Sequence, residues 1–119
     1  FDIILCLEVI EHVCNFKSFL KKTFNCLNKN GIIIFSTINR STLSYISTIL
    51  VAENILKLVP KNTHNWQMYI KPEEIIEIAK KNNMKLDNLR GLLPFPTFEG
   101  INWVRVKNTQ ANYIISLSN

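Results

Sequence analysis

The 119 residues suffice for one small domain with a single core, and a composition of 47% hydrophobic and 19% charged residues excludes a disordered or collagen-like chain. The formal charge of +5 is carried by scattered Lys and Arg with no basic run interleaved with aromatics, which argues against nucleic-acid binding and better suits anionic lipid headgroups. Cys6, Cys14 and Cys26 include no Cys-x-x-Cys pair, so they give neither a zinc spacing nor a disulfide framework, and reduced thiols are expected.

The chain opens with an apolar, β-branched run at residues 2–7, which reads as a strand buried on both faces, as in a parallel sheet; Cys6 within it reads as a small core residue. The apolar run stops at Leu7, and a helix-like segment opens at once with Glu8, Glu11 and His12. Acidic groups just past the carboxyl end of such a strand sit where open α/β sheets bind ligands. From about Asn15 to Leu27, Phe16, Phe19, Leu20, Phe24 and Leu27 recur at spacings of three and four, predicting an amphipathic helix. Asn30-Gly31 is expected to end it, with Gly31 supplying the left-handed turn. Residues 32–35 predict a second buried strand ending near Ser36-Thr37, parallel to the first because a helix joins them.

The next segment breaks the repeat. Leu43 to Val59 is rich in Leu, Ile and Val with few charges, and reads as one long or two short helices ended at Pro60. Residues 61–69 read as a loop carrying His64, Trp66 and Tyr69. Pro72-Glu73-Glu74 starts another helix, with Pro suited to its first turn and both acids to the positive end of its dipole; it is expected to stop near Asn82-Asn83. Met84 to Leu93 reads as a strand, Pro94 to Lys107 as a loop, and Ala111 to Leu117 as a closing strand. No apolar run reaches the roughly 18 residues of a membrane-spanning helix.

Taken in order, Phe1-Asp2 followed by Glu8-Val9-Ile10-Glu11-His12-Val13 resembles the fourth strand and following turn of class I S-adenosylmethionine-dependent methyltransferases. Phe35-Ser36-Thr37-Ile38-Asn39-Arg40 with Ser44-Tyr45, Val59 to His64, Tyr69 to Glu73, and Asn112-Tyr113 resemble the ubiquinone-biosynthesis O-methyltransferases of that family. Departures are Cys14, where the family often has Pro, and Asn62, where it usually has Gly. The resemblance covers nearly the whole chain but only the family's C-terminal half. The first strand and Gly-rich turn that wrap the cofactor, and the acid that binds its ribose, have no counterpart among these residues.

The resemblance implies an α/β fold: a partial Rossmann-like methyltransferase sheet of the last four strands, mainly parallel with an antiparallel closing strand, and a helical insert at about 41–60. Residues 1–119 would then be the C-terminal half of one methyltransferase domain. The implied activity is O-methylation of a polyprenylated phenol or catechol by S-adenosylmethionine. Leu7 would pack on the adenine side of the cofactor, and Glu8, Glu11 and His12 would hold a divalent cation, Mg²⁺ by the resemblance. A helix would place Glu8 beside both partners, and the cation would acidify the hydroxyl. The bland alternative gives the trio a structural role, with His12 packed on the sheet and a Glu capping a helix. No catalytic residue is assigned, because a loop His such as His64 is as often a packing residue as a base.

The implied partners are the polyprenylated aromatic substrate, the missing N-terminal half, and a membrane touched peripherally through 43–59. A plain lid helix is the other reading of that insert. The implied location is cytoplasmic, peripheral on the inner membrane. The rival to an enzyme is a non-catalytic membrane- or partner-binding remnant.

Overall fold

The computed structural model describes residues 1–46, 65–97 and 100–119. Strand β1 (Ile3–Leu7) is followed by a 3-10 turn (Ile10–His12), helix α1 (Phe16–Asn25), strand β2 (Ile32–Ile38) and a short helix α2 (Thr42–Tyr45). A second 3-10 turn (Trp66–Met68), helix α3 (Pro72–Lys81) and strands β3 (Lys85–Thr97), β4 (Gly100–Val106) and β5 (Asn112–Ser118) complete the described elements.

These elements form where the sequence dictates. Asn15 caps α1 by accepting the Ser18 N–H at 3.0 Å, and Leu20 and Phe24 one turn apart are buried under it. Pro72 opens α3, Glu73 and Glu74 occupy its first turn, and Lys80 and Lys81 its last, each matched to the dipole. The turn before β2 departs from expectation: Asn30, not Gly31, takes the left-handed conformation, at φ 63°. Gly31 is needed for a different reason, since a Cβ there would lie 2.7 Å from the Leu27 side chain.

The sheet has the order β1-β2-β5-β3-β4. β1 and β2 pair in parallel, whereas β5 runs antiparallel between β2 and β3, and β4 antiparallel on the outside of β3. Thus β1, β2 and β3 share one direction, as a mainly parallel sheet requires, but among the described residues β1–β2 is the one parallel hydrogen-bonded pair. Five strands replace the expected four, because the Pro94–Lys107 stretch read as a loop supplies the end of β3 and all of β4. Pro94 and Pro96 are tolerated because β5 pairs with β3 only as far as Leu92, so among the described residues this end of β3 has a second edge on which an N–H is not needed.

Period-2 alternation separates two faces. Cys6, Ile33, Phe35, Tyr113, Ile115 and Leu117 point into a core closed by Leu20 and Phe24 of α1 and Ile75, Ile78 and Ala79 of α3. Phe24 and Phe35 meet edge to face with ring centroids 6.5 Å apart. The opposite face is apolar too, yet Ile3, Leu5 and Leu7 remain 64%, 63% and 51% exposed. An apolar groove of about 540 Å³ runs along the outer edge of β1 between that strand and α1, lined by Phe1, Ile3, Leu5 and Phe19 among others. All three cysteines are free, with Cys6 buried in the core as expected.

Candidate functional site at the carboxyl rim of β1 and β2

Leu7 ends β1, and Glu8, Glu11 and His12 follow just beyond the strand's carboxyl end. The local geometry differs from the one helix expected to carry the trio. Glu8 stands before the 3-10 turn in the left-handed region, at φ 53°, and the turn itself starts at Ile10. The reason is β2: the Glu8 N–H donates to the Ser36 carbonyl at 2.9 Å, prolonging the parallel ladder by one residue before the chain turns away. Ile10, 1% exposed, then anchors the turn in the core.

Two hydroxyls that sequence reasoning passed over fix the carboxylates. Ser36 Oγ donates to Glu8 Oε1 at 2.7 Å, and Thr37 Oγ1 donates to Glu11 Oε2 at 2.8 Å. Consecutive residues of a strand point to opposite faces. Ser36 therefore reaches Glu8 from one side of β2, and Thr37 reaches Glu11 from the side of the core. The available signal was a polar doublet ending an otherwise apolar strand.

Electrostatics distinguish the members of this group. Glu8 is exposed as a residue, but its carboxyl is drawn in against Ser36. Desolvation raises its pKa above the ordinary carboxylate value, the Ser36 hydrogen bond offsets part of this, and the negative charge and hydrogen bond of Glu11 raise it further; His12 acts weakly the other way. Burial, with Glu11 nearby, also raises the Cys6 thiol, which keeps it in the inert protonated form. Glu11 itself is 4% exposed.

Glu8, Glu11 and His12 line a recess of about 240 Å³ with Ile38, Asn65, Met68 and Tyr69. Two carboxylates and an imidazole are donors of the kind a divalent cation takes. Among the described residues, however, no three His, Cys, Asp or Glu side chains converge closely enough to hold a metal ion. The donor set fits in kind, but it is not gathered into a cage. Leu7, the last residue of β1, is 51% exposed. His64 and residues 47–59 of the insert lie outside the described residues.

A second, larger recess of about 550 Å³ adjoins the first, lined by Asn39, Ser41, Thr42, Trp66, Lys71 and Gln110 among others. Its walls are tied down. Asn39 Nδ2 donates to the Thr109 carbonyl at 2.8 Å, and Ser41 Oγ donates to the Gln110 carbonyl. Arg40 pairs with Glu74 at 2.8 Å, and Glu74 also accepts the Lys71 N–H at 2.9 Å.

A family profile described as a methyltransferase domain matches residues 1–89. The chain is 41% identical over 114 residues to the ubiquinone biosynthesis O-methyltransferase of Pelagibacter ubique, covering 96% of this chain and 47% of that protein. It is 45% identical over 93 residues to the Rickettsia prowazekii protein of the same name, covering 78% of this chain and 37% of that one. The chain therefore spans about half the length, or less, of the curated relatives it matches. Among solved structures, a Thermotoga maritima S-adenosylmethionine-dependent methyltransferase, described as a possible histamine N-methyltransferase, superposes with a TM-score of 0.60 at 17% identity, covering 99% of this chain and 56% of that one. A Methanosarcina mazei S-adenosylmethionine-dependent methyltransferase gives 0.60 at 12% identity, covering 100% and 59%. At such identities the likeness concerns the fold.

Proposed function

The chain belongs to the methyltransferase-domain family, and from that premise we propose that it is the acceptor-side half of an enzyme of ubiquinone biosynthesis. The reaction moves a methyl group from S-adenosylmethionine to a phenolic oxygen of a polyprenylated ring. The observation that carries the reading is the rim, where Glu8, Glu11 and His12 line one recess past the carboxyl ends of two parallel strands, with Leu7 ending the first of them. Identity of 41% to the Pelagibacter ubique relative supports the acceptor class.

Methyl transfer to a phenolic oxygen is a displacement. A lone pair on oxygen forms the new O–C bond as the C–S bond breaks, and the phenolic proton must leave. S-adenosylmethionine, when bound, supplies the activated methyl. Leu7 gives an apolar surface for the adenine side, and the acidic rim with His12 receives the proton or orients the hydroxyl. Desolvation raises the Glu8 pKa, so its carboxyl takes up a proton more readily than an ordinary carboxylate does. Glu8, Glu11 and His12 would have to draw together to hold a divalent cation, which would then add Lewis acidity at that hydroxyl. Calorimetric titration with Mg²⁺ tests the metal part: saturable binding lost in Glu11→Gln supports it, and absence of heat retires it.

The donor-binding half is the expected partner. β1 has a free edge and an exposed apolar face, the surfaces on which a further parallel strand and covering helices would pack. The deciding experiment mixes this chain with the donor-binding half of the Pelagibacter ubique relative, adds S-adenosylmethionine and a prenylated catechol, and looks for the methyl ether. This chain alone is expected not to bind S-adenosylmethionine tightly, and micromolar affinity by calorimetry would overturn the division of labour.

Peripheral membrane contact through 43–59 completes the proposal. It is supported by Leu43, Tyr45 and Ile46, which leave 40–44% of their surfaces exposed where the insert begins. Among the described residues no helix is long and apolar enough to cross a membrane. Ile49→Glu with Leu50→Glu should reduce binding to anionic liposomes, and unchanged binding retires the contact. The exposed apolar face also supports a second reading, a non-catalytic membrane- or partner-binding remnant. Liposome binding without methyl transfer in the mixture would favour it.

A further inference from the structure

The recess that holds the carboxylates is small for a ring. Sites for small organic ligands usually span about 300–1,000 Å³, whereas the recess of Glu8, Glu11 and His12 measures about 240 Å³. The adjoining one measures about 550 Å³ and falls within that range. The two share a partition. Ile38 borders the smaller and Asn39 the larger; Asn65, Met68 and Tyr69 wall the smaller, while Trp66, within the same stretch, walls the larger.

Trp66 is held in this place by both ends of its indole. Its Nε1–H donates to the Ser41 carbonyl at 2.9 Å, and its ring meets Tyr45 edge-on at 6.1 Å and 84°. Only half-buried, it offers the larger recess a flat apolar wall, with amide and hydroxyl groups of Asn39, Ser41, Thr42 and Gln110 and the charged Arg40, Lys71 and Glu73 also on the lining. A planar ring bearing hydroxyls needs that combination, an aromatic surface with polar groups around its margin. The groove along β1 is similar in size, but its lining is mainly apolar and it follows an edge where a strand would pair.

We propose that the recess beside Trp66 is the acceptor subsite, binding a hydroxylated aromatic ring against the indole so that one ring hydroxyl reaches the carboxylates across the partition. The inference rests on the methyl-transfer reading for the identity of the acceptor, though not for the existence of the subsite.

The test uses this 119-residue chain carrying Trp103→Phe, which leaves Trp66 as its one indole. An alkyl-substituted catechol is titrated while Trp66 emission is followed. Saturable quenching is expected, weakened about tenfold or more by Thr42→Phe and by Gln110→Phe, which fill the recess from exposed positions. Using two fillers guards against a folding defect in either. No quenching, or quenching of equal affinity in both filled variants, overturns the subsite. Quenching that follows the expected pattern in a protein that makes no methyl ether with the donor half would sink the methyl-transfer reading and leave the subsite standing.

Discussion

Replacing Thr37 by Val removes one hydroxyl from a closed environment and changes the side-chain volume little. Thr37 is 0% exposed and Glu11 4%, so their hydrogen bond of 2.8 Å is largely shielded from solvent. A hydrogen bond to a charged group contributes about 1.5–3 kcal/mol, and an acceptor left buried without its donor loses the compensation for its desolvation. We therefore expect Thr37→Val to cost about 2 kcal/mol, lowering the folding constant about 30-fold and the melting temperature by roughly 8 °C for a chain of this size. Ser36→Ala, at the more solvated Glu8, should cost only about 0.5–1 kcal/mol. Urea titration followed by far-ultraviolet circular dichroism reads both. A double-mutant cycle with Glu11→Leu should then show that Thr37→Val costs little once the carboxylate is gone. A loss below about 0.5 kcal/mol for Thr37→Val, or a coupling near zero in the cycle, would refute the claim that Thr37 holds Glu11 at the rim.

Glu8→Gln should raise stability at neutral pH. The folded-state pKa of Glu8 lies above its ordinary value of 4.5, so the native state binds the proton more tightly than the unfolded chain. Its contribution to stability is full below that ordinary value and is lost as pH rises through the folded value, so the urea midpoint of Glu8→Gln should exceed wild type at pH 7.5 and converge with it at pH 4. Leu20→Ala, at a site 0% exposed between α1 and the sheet, should cost about 2–5 kcal/mol in the same assay. Leu7→Ala, at a site 51% exposed, should cost under about 1 kcal/mol yet weaken S-adenosylmethionine binding by the mixture with the donor half. Leu5→Lys, at a site 63% exposed, should leave the urea midpoint within about 0.5 kcal/mol of wild type while reducing self-association in sedimentation velocity and blocking pairing with the donor half.

Much of the architecture was legible because burial imposes period. The three-and-four spacing of Phe16, Phe19, Leu20 and Phe24 located α1, and the unbroken apolar runs up to Leu7 and Phe35 located β1 and β2. The hairpin of β3 and β4 was not legible, since Pro94, Pro96 and Gly100 carry a loop signal that an outer pair of strands can absorb. The site was legible in its membership but not in its geometry. Glu8 and Glu11 belong together, yet the chain adds a residue to the ladder with β2 before it turns, which no spacing rule for helices could foretell. Ser36 and Thr37 escaped notice because a polar pair at a strand end is ordinary until the tertiary structure sets a carboxylate opposite each hydroxyl.

That alternation makes the pairing of β1 with β2 self-checking. In the register Cys6↔Phe35 and Leu7↔Ser36, each hydroxyl meets its own carboxylate. Sliding β2 by a single residue would set Thr37 at Glu8 and Ile38 at Glu11, or Phe35 at Glu8 and Ser36 at Glu11; in either direction one acid faces hydrocarbon while the apolar stripe inverts. The acidic rim thus doubles as a proofreading mark for strand alignment: a misthreaded sheet forfeits its polar contacts and its packing in the same step.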